Sequence, residues 1–385
     1  MRTCALATAA TFAAVALLVS GCGSSGGDAG NAGNQPPVSP SATTTSGTSE
    51  PAAPGSASPS TPASGSPAAA STTKATPTTS LLKWTKVPGD PTDTVTTNGT
   101  WTLTVAQEGG WWSLGRGSAS AQETHAPAGL EVQDATLSDD WAVVVYGDQN
   151  GNKQQRAVVT ALSSGKVTTL DKSSDLPPSS DGSWALDGST LWHATDHAGA
   201  YCLASTDLTS GSSKLSWCAP ARHGFTNVLS VDGQTSMMTF DDKQPSCRTV
   251  VTVSGTTTTP YPGVPACKGA QGALLTSTPQ IGRIWSIVPN ENHYQQVHVY
   301  GATDAGTYDL GGGVNGTLTV CGAAAYWARD VSGSTPAALM RWDGSQLSVV
   351  YQSKGFLGEP RCAGHQLTVL DTTDNGAAQL TAHVS

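Results

Sequence analysis

Trp184-Ala-Leu-Asp187-Gly188-Ser-Thr-Leu-Trp192 reads as a short strand, a tight turn and a second strand. Apolar residues flank an Asp-Gly pair, where glycine supplies the positive φ that a tight hairpin turn needs. Similar units recur at Val95–Val105 about Asn98-Gly99, Ala135–Val145 about Asp139-Asp140, and Leu229–Met238 about Asp232-Gly233. Three more follow at Leu274–Ile287 turning near Gly282, Leu318–Trp327 about Gly322, and Arg361–Val369 about Gly364. The turn positions 99, 140, 188, 233, 282, 322 and 364 are separated by 41, 48, 45, 49, 40 and 42 residues. A regular period of this size marks a repeat architecture, in which each unit buries its apolar faces only by stacking on its neighbours.

A second series of turns falls inside the units. Gly165, Gly211, Gly255, Gly306 and Gly344 lie 25, 23, 22, 24 and 22 residues past the first turn of their own unit. Between the two series come breaks such as Asn150-Gly151, Ala198-Gly199, Asn290-Glu291-Asn292 and Asn375-Gly376. Three turns per unit make four antiparallel strands. Seven such units resemble a seven-bladed β-propeller, although no family signature such as a Trp-Asp pair recurs. A pair of β-sandwiches or an irregular β-solenoid would be the other all-β solutions. The ends favour the ring. After Gly364 the chain supplies Gln366–Leu370 and Ala378–Val384 and then lacks one strand, while Leu81-Leu-Lys-Trp-Thr-Lys-Val87 precedes the first unit without a partner. This segment is expected to close the ring as the outermost strand of the last blade. The first blade is the weakest, because Gly115–Pro127 has poor strand character.

The region before the repeat divides in two. Met1-Arg2-Thr3 gives a short positive start, and Ala5–Val19 is apolar or small but too short to span a bilayer comfortably. Val19-Ser20-Gly21-Cys22 then resembles the lipobox of bacterial lipoprotein signal peptides. That resemblance, confined to the first 22 residues, implies removal of residues 1–21 and diacylation of Cys22, and two chains give stable anchoring where one does not. The alternative is an ordinary secreted protein with Cys22 a bystander. Residues 22–80 form the second part. Beyond Cys22 they are almost wholly Gly, Ser, Thr, Ala and Pro, with Asp28, Glu50 and Lys74 their only charges. So little apolar surface cannot offset the entropy of ordering, so a disordered tether is expected, about 40–45 Å in mean reach. Gly23-Ser24-Ser25-Gly26-Gly27 spells the hydrolase pattern G-x-S-x-G, but lacks the strand and helix that pattern requires. Residues 81–385 are then the β-domain.

Charged residues make up 12% of the chain and the formal net charge is −9; with no Lys/Arg cluster, nucleic acid is a poor partner. Apart from Cys4 and Cys22 there are six cysteines, Cys202, Cys218, Cys247, Cys267, Cys321 and Cys362. An even number in an exported chain suggests disulfides, with fifteen possible connectivities. The blade register favours sequential pairing. Cys202 and Cys218 fall on the third and fourth strands of one blade, Cys321 and Cys362 on the inner strands of the last two, and Cys247–Cys267 would tie a blade to the loop that leaves it.

Candidate chemistry is sparse. His193-Ala-Thr-Asp196-His197 is the one close histidine pair, yet four residues of strand separate the rings by about 13 Å, too far for one zinc. Asp148-Gln-Asn150-Gly-Asn152 copies the start of a calcium loop, but Lys153 and Val159 stand where that loop needs Gly and a bidentate Glu. Neither metal nor cofactor is expected. The β-domain has five Glu, at 108, 123, 131, 291 and 359, and no carboxylate pair is nominated as catalytic. Of eleven Trp, Trp101, Trp141, Trp192, Trp285 and Trp327 recur around the second strand of their blades and are read as packing between blades. Trp111 and Trp112 are adjacent, so one should face solvent or a blade interface; they are the candidates for a ligand-binding face. The expectation is a lipid-anchored binding or scaffold protein on the outer membrane face, non-enzymatic, with an envelope protein or saccharide as partner. The alternative is an extracytoplasmic carbohydrate-binding or carbohydrate-active protein.

Overall fold

The computed structural model describes residues 72–117, 121–267, 270–275 and 281–385, so the segment read as a signal peptide, Cys22 and most of the expected tether lie outside the described residues. Seven antiparallel sheets follow one another in chain order, each led by its innermost strand. Blade I comprises Thr94–Thr97, Trp101–Val105, Trp111–Arg116 and Glu123–His125; blade II Glu131–Leu137, Trp141–Gly147, Arg156–Ala161 and Val167–Leu170. Blade III comprises Ala185–Asp187, Thr190–His197, Ala200–Asp207 and Ser213–Cys218; blade IV His223–Val231, Gln234–Asp241, Thr249–Ser254 and Thr257–Pro260. Blade V has Ala270–Leu275, Arg283–Ile287, Gln296–Thr303 and Gly306–Val314, and blade VI Thr319–Cys321, Ala324–Arg329, Ala337–Trp342 and Leu347–Ser353. Blade VII holds Arg361–Ala363, Gln366–Thr373 and Gly376–His383, with Phe356–Leu357 adding a second short inner segment before Pro360 interrupts the strand. No described helix is long and apolar enough to cross a membrane.

The burial gradient follows from stacking. A middle strand has a neighbouring blade on each face, so its side chains are buried on both sides rather than alternately, as in Ala324–Arg329 and Trp141–Gly147. An outer strand such as Val167–Leu170 is mostly exposed. Apolar clusters fill six interfaces. The largest joins blades V and VI through Ile284, Val299, Leu310, Trp327, Met340 and Trp342.

The seventh interface, between blades VII and I, is built differently. Among the described residues its one member of an apolar cluster from blade VII is Ala363, which joins the cluster of blades I and II. Buried polar groups stand there instead, including Asp93, Thr96, Thr368 and Gln379. Gln379 Nε2 donates to the carbonyls of Asp93 at 2.5 Å and Pro91 at 3.4 Å. This seam is where the two ends of the repeat meet, and the N-terminal segment laces it shut. Thr85–Lys86 pairs antiparallel with Thr381 and Leu380 as the outermost strand of blade VII, as the unpartnered segment before the repeat requires. Trp84 Nε1 donates to the Val350 carbonyl at 3.1 Å, and its ring meets Tyr351 edge-on.

The lacing begins earlier than composition indicated. Thr72–Lys74 runs parallel to Gly306–Val314 on the outside of blade V, and Thr78–Thr79 parallel to Leu347–Ser353 on the outside of blade VI. The ordered domain therefore includes residues 72–80, which were assigned to the tether. The tether argument counts apolar side chains, whereas an edge strand is recruited through backbone hydrogen bonds, to which Thr-rich sequence is well suited.

The six domain cysteines form Cys202–Cys218, Cys247–Cys267 and Cys321–Cys362. The first links directly opposed residues of two adjacent strands in blade III. The last staples the innermost strands of blades VI and VII, next to the seam.

Candidate functional site

Of the two ligand-face candidates, Trp112 is withdrawn. Its side chain is buried between blades I and II, and Nε1 donates to the Tyr146 hydroxyl at 2.5 Å. Trp111 projects to the other face of the same strand and is half-buried, opposite His125. The adjacent pair thus splits as strand alternation requires, but the buried member serves the blade interface.

His193 and His197 sit on the second strand of blade III and do not meet a common ligand. His193 is fully buried, stacked on Trp184 with ring centroids 5.1 Å apart, and its Nδ1 lies 3.1 Å from the Ala194 carbonyl. Burial holds it neutral, lowering its pKa to about 4. His197 is exposed at the strand's end. The calcium-like segment is a hairpin tip. Asp148 Oδ1 accepts from the Lys153 backbone at 2.6 Å, and Gln133 Nε2 donates to the Asp148 carbonyl. Among the described residues no three His, Cys, Asp or Glu side chains converge as a metal site would require.

Two arrangements remain that could act on a ligand. One lies at the central axis. Arg361, on the innermost strand of blade VII, reaches past blade I to donate from Nη1 to the Ala135 carbonyl of blade II at 3.1 Å. An innermost strand has one free edge, and this contact satisfies a carbonyl on it. The other guanidinium nitrogen, Nη2, donates to Glu359 Oε2 at 3.0 Å. Asp134 sits beside this pair at a bulge of the same inner strand. Burial raises its pKa to about 6 and Glu359 adds to the rise, against the opposing pull of Arg361. The axis thus carries a carboxyl that titrates in the mildly acidic range, beside a fixed cation.

The other arrangement is a cleft of about 440 Å³ between blades III and IV, at the end formed by the turns after the first and third strands. Trp192, Ser205 and Lys214 form one cross-strand row on blade III, and Thr190 with Asp207 the next. Asp187, Ser230 and Gly233 complete the wall. Asp187 Oδ2 accepts from Ser230 Oγ at 2.9 Å and from the Gly233 backbone at 2.7 Å, so it bridges the two blades. Asp207 Oδ1 accepts from the Thr209 and Ser210 backbones at 2.9 and 2.8 Å, and the Ser210 bond leads in holding its carboxyl below the usual range. A smaller cleft of about 330 Å³, between blades VI and VII, is lined by Ser80, Leu82, Tyr326, Arg341 and His383 among others.

These residues were visible in the sequence only in other roles. Asp187 reads as a turn former and Trp192 as interface packing, and each does that as well, while Asp207 carries no motif of its own. The available signal was that Asp187-Gly188 and Asp232-Gly233 occupy equivalent turns of successive blades, which brings one aspartate to the next blade's glycine amide.

No family model matches the chain and no curated protein matches it by sequence. Solved structures do. The β-propeller domain of the Trilobed protease from Pyrococcus furiosus aligns with a TM-score of 0.53 at 9% identity, over 79% of this chain and 96% of that one. The likeness is one of fold alone. That domain is described as having an open velcro topology, whereas here the Thr85–Lys86 strand laces the last blade. An oligogalacturonate lyase in complex with manganese aligns at 0.48 and 11% identity, over 81% and 99% of the two chains. A prolyl endopeptidase aligns at 0.46 and 11% identity over 74% of this chain, which spans 46% of the endopeptidase.

Proposed function

We propose that this chain is an extracytoplasmic binding protein, anchored through a diacylated Cys22 and presenting a propeller on a tether to an envelope partner. The observation that carries the reading is that all six cysteines of the propeller are paired in disulfides. Such bonds persist in oxidising compartments and are rare inside cells, which supports reading the folded domain as lying on the side where a lipidated Cys22 would lie. The path of residues 72–86 supports the presentation. The chain first meets the propeller at the outer rim of blade V and follows the rim to blade VII, so a tether arriving there leaves both loop faces free.

Binding rather than catalysis is the better use of the cleft between blades III and IV. One oxygen of each of its carboxylates is engaged by hydrogen bonds, and the Asp207 carboxyl is held below the usual range by its own turn, which makes Asp207 a poor proton donor. A carbohydrate-active enzyme is the second reading, favoured by Asp134, whose raised pKa near Glu359 suits a general acid.

Fractionation of the native host tests the proposal. The full-length chain is expected in the membrane fraction and in the detergent phase of a phase-partition assay. Cys22→Ala should move it to the aqueous phase with its thermal unfolding unchanged. A Cys22→Ala chain that partitions like the parent would refute the anchor.

A further inference from the structure

We propose that the cleft between blades III and IV binds a neutral saccharide, with one sugar ring lying on Trp192 and its hydroxyls bonded to Asp187, Asp207, Ser205 and Lys214. The inference rests on the reading of the propeller as a binding module and names the ligand class of one site.

A sugar ring has an apolar face of C–H groups and an equator of hydroxyls, so its binding site needs a flat apolar plane edged by fixed donors and acceptors. Trp192 supplies the plane. It is half-buried, its inner part packed into the apolar interface with blade IV and its remainder lining the cleft. The acceptors are held in place. Asp187 commits Oδ2 to Ser230 and Gly233, and Asp207 commits Oδ1 to its own turn. Each carboxylate thereby offers its other oxygen in an orientation already fixed, which lowers the entropy lost on binding.

Ser205 makes the cleft more than a polar dent. It is 2% exposed as a whole residue, and its hydroxyl, without a side-chain hydrogen bond among the described residues, opens onto the cleft and is not one of the buried unpaired groups. A hydroxyl carries one donor and two acceptor lone pairs, so in the cleft wall it offers both roles to a ligand hydroxyl. Beside it in the cross-strand row stands Lys214, exposed and without an ion-pair partner among the described residues, a donor for ring or hydroxyl oxygens. Two carboxylates against one ammonium disfavour an anionic sugar, which is why the ligand is assigned as neutral. The volume is in the range of small-ligand sites.

Isothermal titration of the full-length Cys22→Ala chain with maltotriose, cellotriose, mannotriose and tri-N-acetylchitotriose tests this. At least one is expected to saturate the protein below about 10 mM. Trp192→Ala should weaken that sugar by about tenfold or more, and Ser205→Ala by about threefold, while Val167→Ala, on the exposed outer strand of blade II, leaves it unchanged. Should Trp192→Ala fail to fold by circular dichroism, Trp192→Phe, which keeps a smaller ring, is expected to weaken binding by about threefold. The proposal is overturned if no trisaccharide binds, or if the folded Trp192 and Ser205 variants bind as the parent does. Absence of sugar binding in a chain that remains membrane-anchored would remove the saccharide alone. Sugar binding by a chain never found at the membrane would remove the anchor and leave the cleft.

Discussion

A chain beginning at Pro88 is expected to lose roughly 5 kcal/mol of stability and to melt about 8 °C below one beginning at Thr72. The loss comes from three sources. Truncation removes the Trp84 ring and its hydrogen bond to Val350, the half-buried Leu82 in the interface of blades VI and VII, and the pairing of Thr85–Lys86 with the last blade. Its effect should exceed the sum of local contacts because of where it acts. Six of the blade interfaces are sealed by extensive apolar clusters, whereas the one between VII and I has Ala363 alone in such a cluster and depends further on Gln379 and on the lacing segment. Limited proteolysis should therefore find its first new cleavage sites in blades VII and I. Gln379→Ala, which leaves the Asp93 and Pro91 carbonyls without this donor, should open the same sites at a smaller cost of about 2 kcal/mol. Uniform loss of protection around the ring would argue that the seam is no weaker than its neighbours.

The second large effect is a hidden pH dependence. His193 has a folded pKa of about 4 against an ordinary 6.5, so below pH 6.5 the unfolded chain takes up a proton that the folded chain refuses. Its contribution is complete above pH 6.5 and is lost as the pH falls towards 4, by about 3 kcal/mol. Asp134 runs the other way. Its folded pKa is about 6 against an ordinary 3.8, so between these values the folded chain retains a proton that the unfolded chain has released. Stability therefore declines as the pH rises through that window, by at most about 3 kcal/mol and by less as far as solvent along the axis screens the carboxylate. The two groups share a window with opposite signs and offset one another in the parent chain. Asp134→Asn should expose the histidine, giving a protein that weakens between pH 6.5 and pH 4. His193→Phe, which keeps a ring against Trp184, should expose the aspartate, giving a protein that strengthens over the same interval. Carboxylates held below their usual range, among them Asp171 and Asp343, add acid sensitivity only below about pH 4. Denaturant unfolding at several pH values reads both variants against the parent. Parallel curves for all three would refute the assignment.

The architecture was legible because the same turn chemistry recurs at a steady interval, and the strand missing at the C-terminus matched a surplus at the N-terminus. Cysteine pairing followed from blade register alone. What the sequence concealed depends on contacts between blades. Trp111 and Trp112 drew notice as neighbours, but Trp112 is buried against Tyr146, a residue on the next blade and 34 positions away. Trp192 reads like its counterparts on other second strands, and only the cleft it shares with Ser205, Lys214 and the held carboxylates distinguishes its surroundings. Thr72–Thr79 carries no apolar pattern because only Ala75 packs on an apolar cluster, that of blades V and VI; the rest is held by the free edges of two outer strands. Asp134 and Arg361 lie more than two hundred residues apart, and no local motif could join them.

Proximity crosslinking in the native host, with both protein and glycan recovered and Cys22→Ala as control, tests most directly the claim that this propeller is a tethered binding module. The account predicts enrichment of a defined envelope component by the anchored chain and its loss in the released one. Recovery of the same material by both forms, or of none by either, would contradict it.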